Sequence, residues 1–338
     1  MAKKNSNKKT LLIVLTIFGI LLFAAALKIY EEVLASNVNL PENEKAFLYI
    51  HTNKSFDENL YLIEETGILK NTQSLGRLIR IAGYTELIKP GKYEINNAMN
   101  NIEIMRLLVS GRQQPFDIVF KYAQRNSDIA GFWGQQLEAD SVELIELLNS
   151  NAFCDSLGFT PQTIIGLFIP NTYNFYWNTS SYKLITRMKE EYEKFWNTED
   201  RQEKLKALNM DINSVITLAS IVQKETNQTA EMPDVAGVYI NRIKKGMPLQ
   251  ADPTIIFAMN DNSIKRVYGK MLEIESPYNT YKYKGLPPGP ICVPSSKTID
   301  AVLNYHKHTY IYFCAKEDFS GFHNFASNYT QHQINARK

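Results

Sequence analysis

Several things are scarce in this chain. Of 338 residues only three are cysteine, five histidine and three tryptophan. Cys154, Cys292 and Cys314 are scattered, and none stands at a spacing from another that suits a metal. His306 and His308 are too close to share a helical face, and no HExxH run or neighbouring cysteine supports zinc. An odd cysteine count reads as mostly buried free thiols, with one disulfide open to an oxidising compartment. An excess of one charge is also missing. With 37 Lys and Arg against 35 Asp and Glu, the formal net charge is +2. Neither nucleic acid nor a strongly anionic partner is implied. There are no internal repeats, and the only biased tract is a basic N-terminus.

Aromatics are plentiful, with 19 Tyr and 17 Phe. Such faces suit sugar stacking, although packing is their commoner use. One long apolar run is present, Leu11 to Leu27, uncharged throughout. At about 1.5 Å per residue it spans roughly 25 Å, and Thr10 with Lys28 to Tyr30 extends it towards a full bilayer crossing. The preceding lysines Lys3, Lys4, Lys8 and Lys9 keep residues 1–10 in the cytoplasm, so the chain beyond a helix at 11–30 lies outside the inner membrane. The rival is a cleaved signal peptide, since Ala24-Ala25-Ala26 resembles a cleavage site. The length of the run favours the anchor.

The stretch that carries chemistry runs from Leu218 to Thr254. Val215, Leu218 and Val222 recur at helical spacing, and Glu225 continues their stripe. A carboxyl group thus ends an apolar face in a helix's last turn. Partial burial and the negative end of the helix dipole both disfavour its charged form. A Glu kept protonated near neutrality is what general acid catalysis needs. The plainer alternative is an exposed helix-end Glu paired with Lys224. Downstream, Pro233 at a first helical position and Gly246 as a stop bracket a second helix bearing Val235, Val238 and Tyr239. Asp252-Pro253 then reads as N-cap and N1 of a third, running through Met259. Gln250, Asp252 and Thr254 are polar and suited to line a cleft.

Four runs in order, LASIVQKET, VAGVYINRIKKGMPLQADPTI, SPYNTYKYKGLPPGPI and HNFASNYTQH, together with Ile165 to Tyr173, resemble the YceG-like endolytic murein transglycosylases. The similarity covers roughly Pro115 to the C-terminus. It implies a membrane-anchored enzyme that cuts peptidoglycan glycan strands internally, with Glu225 as its single catalytic carboxylate, no metal or organic cofactor, and polymerising synthases as partners beside the glycan. Ile165, Asn171 and Gln223 stand where the family commonly has acidic residues, which argues against acid–base roles there and leaves Glu225 untouched. Gln250, Asp252, Thr254, Asn241, Tyr278, Asn279 and Thr280 are the candidate substrate contacts, with His323 a further one. Each has a structural alternative, N-capping for Asp252 above all.

The fold class expected is α+β. A linker at 31–44 leads to a small α+β module at 45–114, LysM-like by resemblance, which either binds glycan or acts as a spacer. A larger α+β catalytic domain occupies 115–338. A lysozyme-type hydrolase using Asp252 or Asp234 as a second carboxylate is the nearest competing reading. A non-catalytic glycan-binding scaffold of the wall-synthesis machinery is the rival from another class, and a metal-dependent amidase lacks a ligand set.

Overall fold

The computed structural model describes residues 3–338, with side chains from Lys9 onward. Lys3, Lys4 and Lys8 of the basic tail therefore lie outside the described side chains. Helix α1 (Lys3–Ile29) runs into a π-helical turn, Tyr30–Leu34. Within the stretch Lys9–Leu34 an 18-residue window has a mean hydropathy of 2.8 and none of it is buried, so the stretch is long and apolar enough to cross a membrane. An anchor and a signal sequence both fit that description.

Beyond α1 the chain forms two compact units. The first comprises residues up to Phe116 together with Asn174–Asn178, and the second comprises Asp117–Tyr173 and Thr179–Lys338. In the first unit β1 (Lys45–Ile50), α2 (Phe56–Glu65), α3 (Thr72–Ile81) and β2 (Gly91–Asn96) follow in order, then α4 (Asn101–Ser110). Strand β1 pairs antiparallel with β2, Leu48 opposite Tyr93 and Ile50 opposite Gly91. Alternation sends Leu48, Ile50, Tyr93 and Ile95 inward, where Ile63, Leu75, Ile79 and Ile104 of the helices cover them. Ser55 and Asn100 close capping boxes with Glu58 and Glu103, and Gly111, in the left-handed region, ends α4. Residues 31–44, expected to be a linker, are folded in. Val38 is part of this core, and the Glu32 carbonyl accepts from Asn101 Nδ2 at 2.7 Å. Apolar Val38 and a buried amide needing partners hold the segment down.

The second unit takes in β3 (Phe116–Phe120) from Asp117 onward, then α5 (Asn126–Gln136), α6 (Ser141–Asn149) and the short α7 (Asn151–Ser156). Strand β4 (Asn171–Phe175) pairs with β3. Helices α8 (Ser181–Asn197) and α9 (Arg201–Leu208) come next. On α8, Arg187–Glu191 and Lys189–Glu193 pair at helical spacing, in keeping with a solvated face. Then come α10 (Ile212–Glu225), α11 (Met232–Lys244), α12 (Asp252–Met259) and α13 (Ser296–Leu303). A hairpin, β5 (Tyr312–Ala315) with β6 (His323–Ala326), and α14 (Tyr329–Ala336) complete it. All three cysteines are free thiols, Cys154 and Cys292 buried.

Helix α10 is the axis of this unit. The sequence suggests one apolar face, yet every residue from Val215 to Val222 is buried. A helix covered on all sides needs neighbours all round, and α11, α12 and α13 supply them. Two polar residues of α10, Ser220 and Gln223, tie it to its surroundings. Ser220 Oγ donates to the Thr217 carbonyl at 2.7 Å and accepts from Ile291 N at 3.0 Å, which fixes the rigid Pro-Pro-Gly loop against the helix. Gln223 accepts from Thr298 Oγ1 and from Ser295 N, tying α10 to α13.

Helix α11 approaches the 306–308 segment closely at Gly237. A Cβ there would lie 2.5 Å from His308 Nε2 and 2.6 Å from the His306 carbonyl oxygen. Gly131 in α5 is helical too, but a Cβ there meets nothing. Gly237→Ala is therefore expected to destabilise the protein by about 1–3 kcal/mol through overpacking, while Gly131→Ala stabilises it by up to about 1 kcal/mol through helix propensity. Thermal melts of both variants, which should shift in opposite directions, check this.

Candidate active site

Glu225 is the last residue of α10, where the buried helix reaches the surface. Its side chain is only partly accessible, and dense packing around the carboxyl removes most of its hydration. One oxygen, Oε1, accepts from Tyr239 Oη at 2.5 Å. Tyr239 lies on α11 and is 1 % exposed. A buried tyrosine hydroxyl must find a partner, and the carboxyl is that partner.

Two further residues act through charge. Asp252 raises the Glu225 pKa and Arg242 lowers it. Arg242, also on α11, is buried and held by carbonyls, with Nε donating to Ile311 O at 2.7 Å and Nη1 to Leu249 O at 2.5 Å. Asp252 opens α12 and accepts a hydrogen bond from the Tyr281 hydroxyl. The net result is a carboxyl pushed up from 4.5 to about 7, chiefly by burial and against the pull of the Tyr239 hydrogen bond. The same burial pushes Tyr239 well above the ordinary phenol range, so it stays a donor.

The N-capping expectation for Asp252 is corrected here. Ala251 holds the cap position, with no side-chain cap, and Asp252 is the first helical residue. Its carboxylate accepts from the Tyr281 hydroxyl instead.

The other candidates divide by environment. Gln250 is exposed, with a left-handed backbone (φ 53°), and its Oε1 lies 3.5 Å from Arg242 Nη1. A non-glycine residue in that region costs of order 1 kcal/mol, a cost usually met at functional sites. Thr254 and Thr280 are buried, share a hydrogen bond at 2.9 Å, and bind the Ala251 carbonyl and amide respectively. They fasten the 276–281 loop to the start of α12. Asn279 is fully buried and brackets its own loop, donating to Leu272 O and Ile274 O at 2.9 Å each and accepting from Tyr281 N at 3.0 Å. Asn241 donates to His308 O and Tyr310 O at 2.8 and 2.9 Å. These four side chains direct their hydrogen bonds inward. Tyr278 is half-buried, its ring 4.8 Å from that of Phe257.

His323 does not stand apart as a free ligand-facing ring. Its Nδ1 is 2.9 Å from Glu231 Oε2, and its backbone amide donates to Glu231 Oε1 at 2.7 Å. Glu231 is 4 % exposed and also receives Thr226 Oγ1 at 3.4 Å. Thr226 follows Glu225 directly and caps α10. Phe313 of β5 packs edge-on against both His323 and Tyr239, with ring centroids 5.1 and 6.0 Å away. The hairpin thus braces the turn after Glu225 and the tyrosine that binds it.

Tyr239, Arg242, Tyr281 and Glu231 are members of the site that the sequence reading did not single out. A signal existed for Tyr239 and Arg242, polar-tipped residues on the inward face of a predicted helix. Tyr281 and Glu231 owe their roles to partners 29 and 92 residues away, which no local pattern reveals.

A model of the YceG-like family matches residues 48–338. An endolytic murein transglycosylase of Bacillus subtilis is 28% identical over 273 residues, covering 76% of this chain and 75% of that protein. One from Streptococcus pneumoniae is 26% identical over 343 residues, covering 92% of this chain but 62% of that relative's length. The 2.6 Å crystal structure of a yceG-like protein from Listeria monocytogenes aligns with a TM-score of 0.56 at 27% identity, covering 86% of this chain and 99% of that one. With the family model spanning most of its length and the same fold in a solved relative, this chain belongs to the YceG-like family.

Proposed function

We propose that the chain is a membrane-anchored lytic transglycosylase that cuts nascent peptidoglycan strands internally, between N-acetylmuramic acid and N-acetylglucosamine, with Glu225 acting as acid and then base. The observation that carries this reading is the buried Glu225 carboxyl, with a pKa near 7 and one oxygen engaged by Tyr239. The names of the Bacillus and Streptococcus relatives support it. Helix α1 serves as the anchor, N-terminus in the cytoplasm, with the rest of the chain on the outer side. The small unit has a cavity of about 300 Å³ bordered by His51, Lys54 and Glu86, and it positions glycan near the membrane. Polymerising synthases are the partners this placement suits.

In the reaction, Glu225 delivers its proton to the bridging oxygen as the bond from C1 of the muramyl sugar breaks. Since Tyr239 donates to Oε1, the proton leaves from Oε2. The N-acetyl carbonyl of the same sugar stabilises the cation at C1. Glu225, now a carboxylate stabilised by Tyr239 and Arg242, takes the proton of the 6-hydroxyl, whose oxygen bonds to C1. The products are a 1,6-anhydro end and a free hydroxyl on the leaving sugar, and no water is consumed.

A hydrolase of lysozyme type is the second reading. It is favoured by one observation, the electrostatic coupling of a second carboxylate, Asp252, to Glu225. In the transglycosylase Asp252 raises the acid's pKa, whereas in the hydrolase it acts on water or the sugar cation. Mass spectrometry of products from purified glycan separates them, because anhydro ends are one water lighter than reducing ends.

Glu225→Gln keeps the shape and should lower the cleavage rate by at least about a hundredfold; cleavage at the parent rate would remove Glu225 from the mechanism. The parent's activity should fall as pH rises through about 7, because the acid form is being lost. Tyr239→Phe deletes a hydrogen bond that favours the charged form, so that alkaline limb should move to higher pH. Asp252→Asn deletes a repelling charge, so it should move lower. Limbs that fail to move apart would show that these neighbours do not set the acid.

Stability should report the same carboxyl. Its proton is held more tightly in the folded chain than in the unfolded one, about 7 against 4.5. The contribution is fully present below about pH 4.5 and is lost as pH rises through about 7. Glu225→Gln lacks this loss, so it should match the parent near pH 4 and exceed it by roughly 3 kcal/mol at most near pH 8, read from melting curves at the two pH values.

A further inference from the structure

A cavity of about 400 Å³ lies in the second unit, lined by Arg125, Gln162, Ile165, Phe257 and Tyr278 among others. Two elements connect it to the acid. Helix α12 places Asp252, the charge that acts on Glu225, at its start and Phe257 in the cavity, about 7.5 Å further along the axis at 1.5 Å per residue. The 276–281 loop places Tyr281 on Asp252 and Tyr278 in the cavity. The same two elements thus carry both the groups that act on the acid and part of the cavity's lining.

Its chemistry is one-sided. The Arg125 guanidinium carbon sits over the Phe257 ring, 4.3 Å from the centroid, and Nη2 donates to the Phe257 carbonyl at 2.7 Å. This fixes the guanidinium, and none of the other residues lining the cavity is Asp or Glu. The Gln162 side chain is exposed at the edge. Tyr278 and Phe257, whose rings pack 4.8 Å apart, make the aromatic part of the lining, and Ile165 forms an apolar wall. Asp128 is the nearby acid, and its carboxylate is engaged by the Gln124 and Arg125 backbone amides at 2.8 and 3.0 Å. A held guanidinium in a cavity lined by no acid, beside aromatic side chains, suits a sugar carrying a carboxylate.

We infer that this cavity is a subsite for the carboxylate-bearing side arm of a muramyl residue next to the cleaved linkage. The carboxylate pairs with Arg125, the sugar ring lies against Tyr278 and Phe257, and a neutral N-acetylglucosamine unit gains nothing from the cation. The inference rests on the reading of the chain as a glycan-cleaving enzyme, but binding tests it without cleavage.

The test uses the full-length, detergent-solubilised Glu225→Gln protein and measures Kd for three oligosaccharides of equal length. The first is chitooligosaccharide, without a carboxylate. The second is peptide-free murein, with the lactyl carboxylate next to the ring. The third is murein with stem peptides, whose carboxylates lie further out. Murein should bind about tenfold more tightly than chitooligosaccharide, the order expected for one charge-assisted contact. Whichever murein form binds more tightly identifies the carboxylate. Adding Arg125→Gln should abolish the preference. So should Ile165→Glu, which introduces an opposing charge without touching the arginine, while Arg125→Lys should keep part of it. Equal binding of all three ligands, or a preference that survives both charge changes in folded protein, would overturn the assignment. Failure of the cleavage reading would appear elsewhere, as an active-site-intact parent that binds with this preference yet releases no products.

Discussion

The arrangement depends on one costly act, bringing a carboxyl group out of water at the end of a helix that is itself surrounded. Desolvation is the largest influence on Glu225, and the hydrogen bond from Tyr239 opposes it without cancelling it. Without the hydrogen bond the group would hold its proton more tightly still. Without the burial it would be an ordinary surface carboxylate. In the proposed mechanism the same residue gives up a proton and then takes one, and a position between these limits suits both steps.

The tuning partners come from separate elements with separate supports. Tyr239 and Arg242 share α11, which is seated on the 306–311 segment through Gly237, Asn241 and Arg242 itself. Asp252 and Tyr281 are supported by the buried set of Thr254, Asn279 and Thr280. Those last three looked like ligand contacts because they are polar and lie near motif residues. Buried polar atoms need partners whatever their purpose, and here the partners are the loop's own backbone.

This also explains what could be read from the sequence. Helix periodicity, Pro233 and Gly246 located α10 and α11, and the apolar stripe singled out Glu225, because these depend on neighbours a few residues apart. The mixed strand and helix content of the small unit was legible for the same reason. The setting of Glu225 was only half legible. Its apolar surroundings show in Leu218 and Val222, but its hydrogen-bond partner and its two charged neighbours meet it only after the chain has folded. The start of α12 was misplaced by one residue because Asp-Pro is a common opening, yet Ala251 takes the cap, leaving the aspartate to face Tyr281. Segment 31–44 looked like a linker for its polar residues, and Val38 was too slight a signal of a packed strand-like contact.

The β5–β6 hairpin has a consequence for how the protein comes into being. Phe313 supports Tyr239, the Ile311 carbonyl holds Arg242, and His323 holds Glu231 beneath the turn that follows Glu225. All three lie C-terminal to the helices they brace. During synthesis α10 and α11 emerge before these braces do. A chain emerging N-terminus first thus completes the setting of the Glu225 carboxyl only when residues 311–323 fold back onto it.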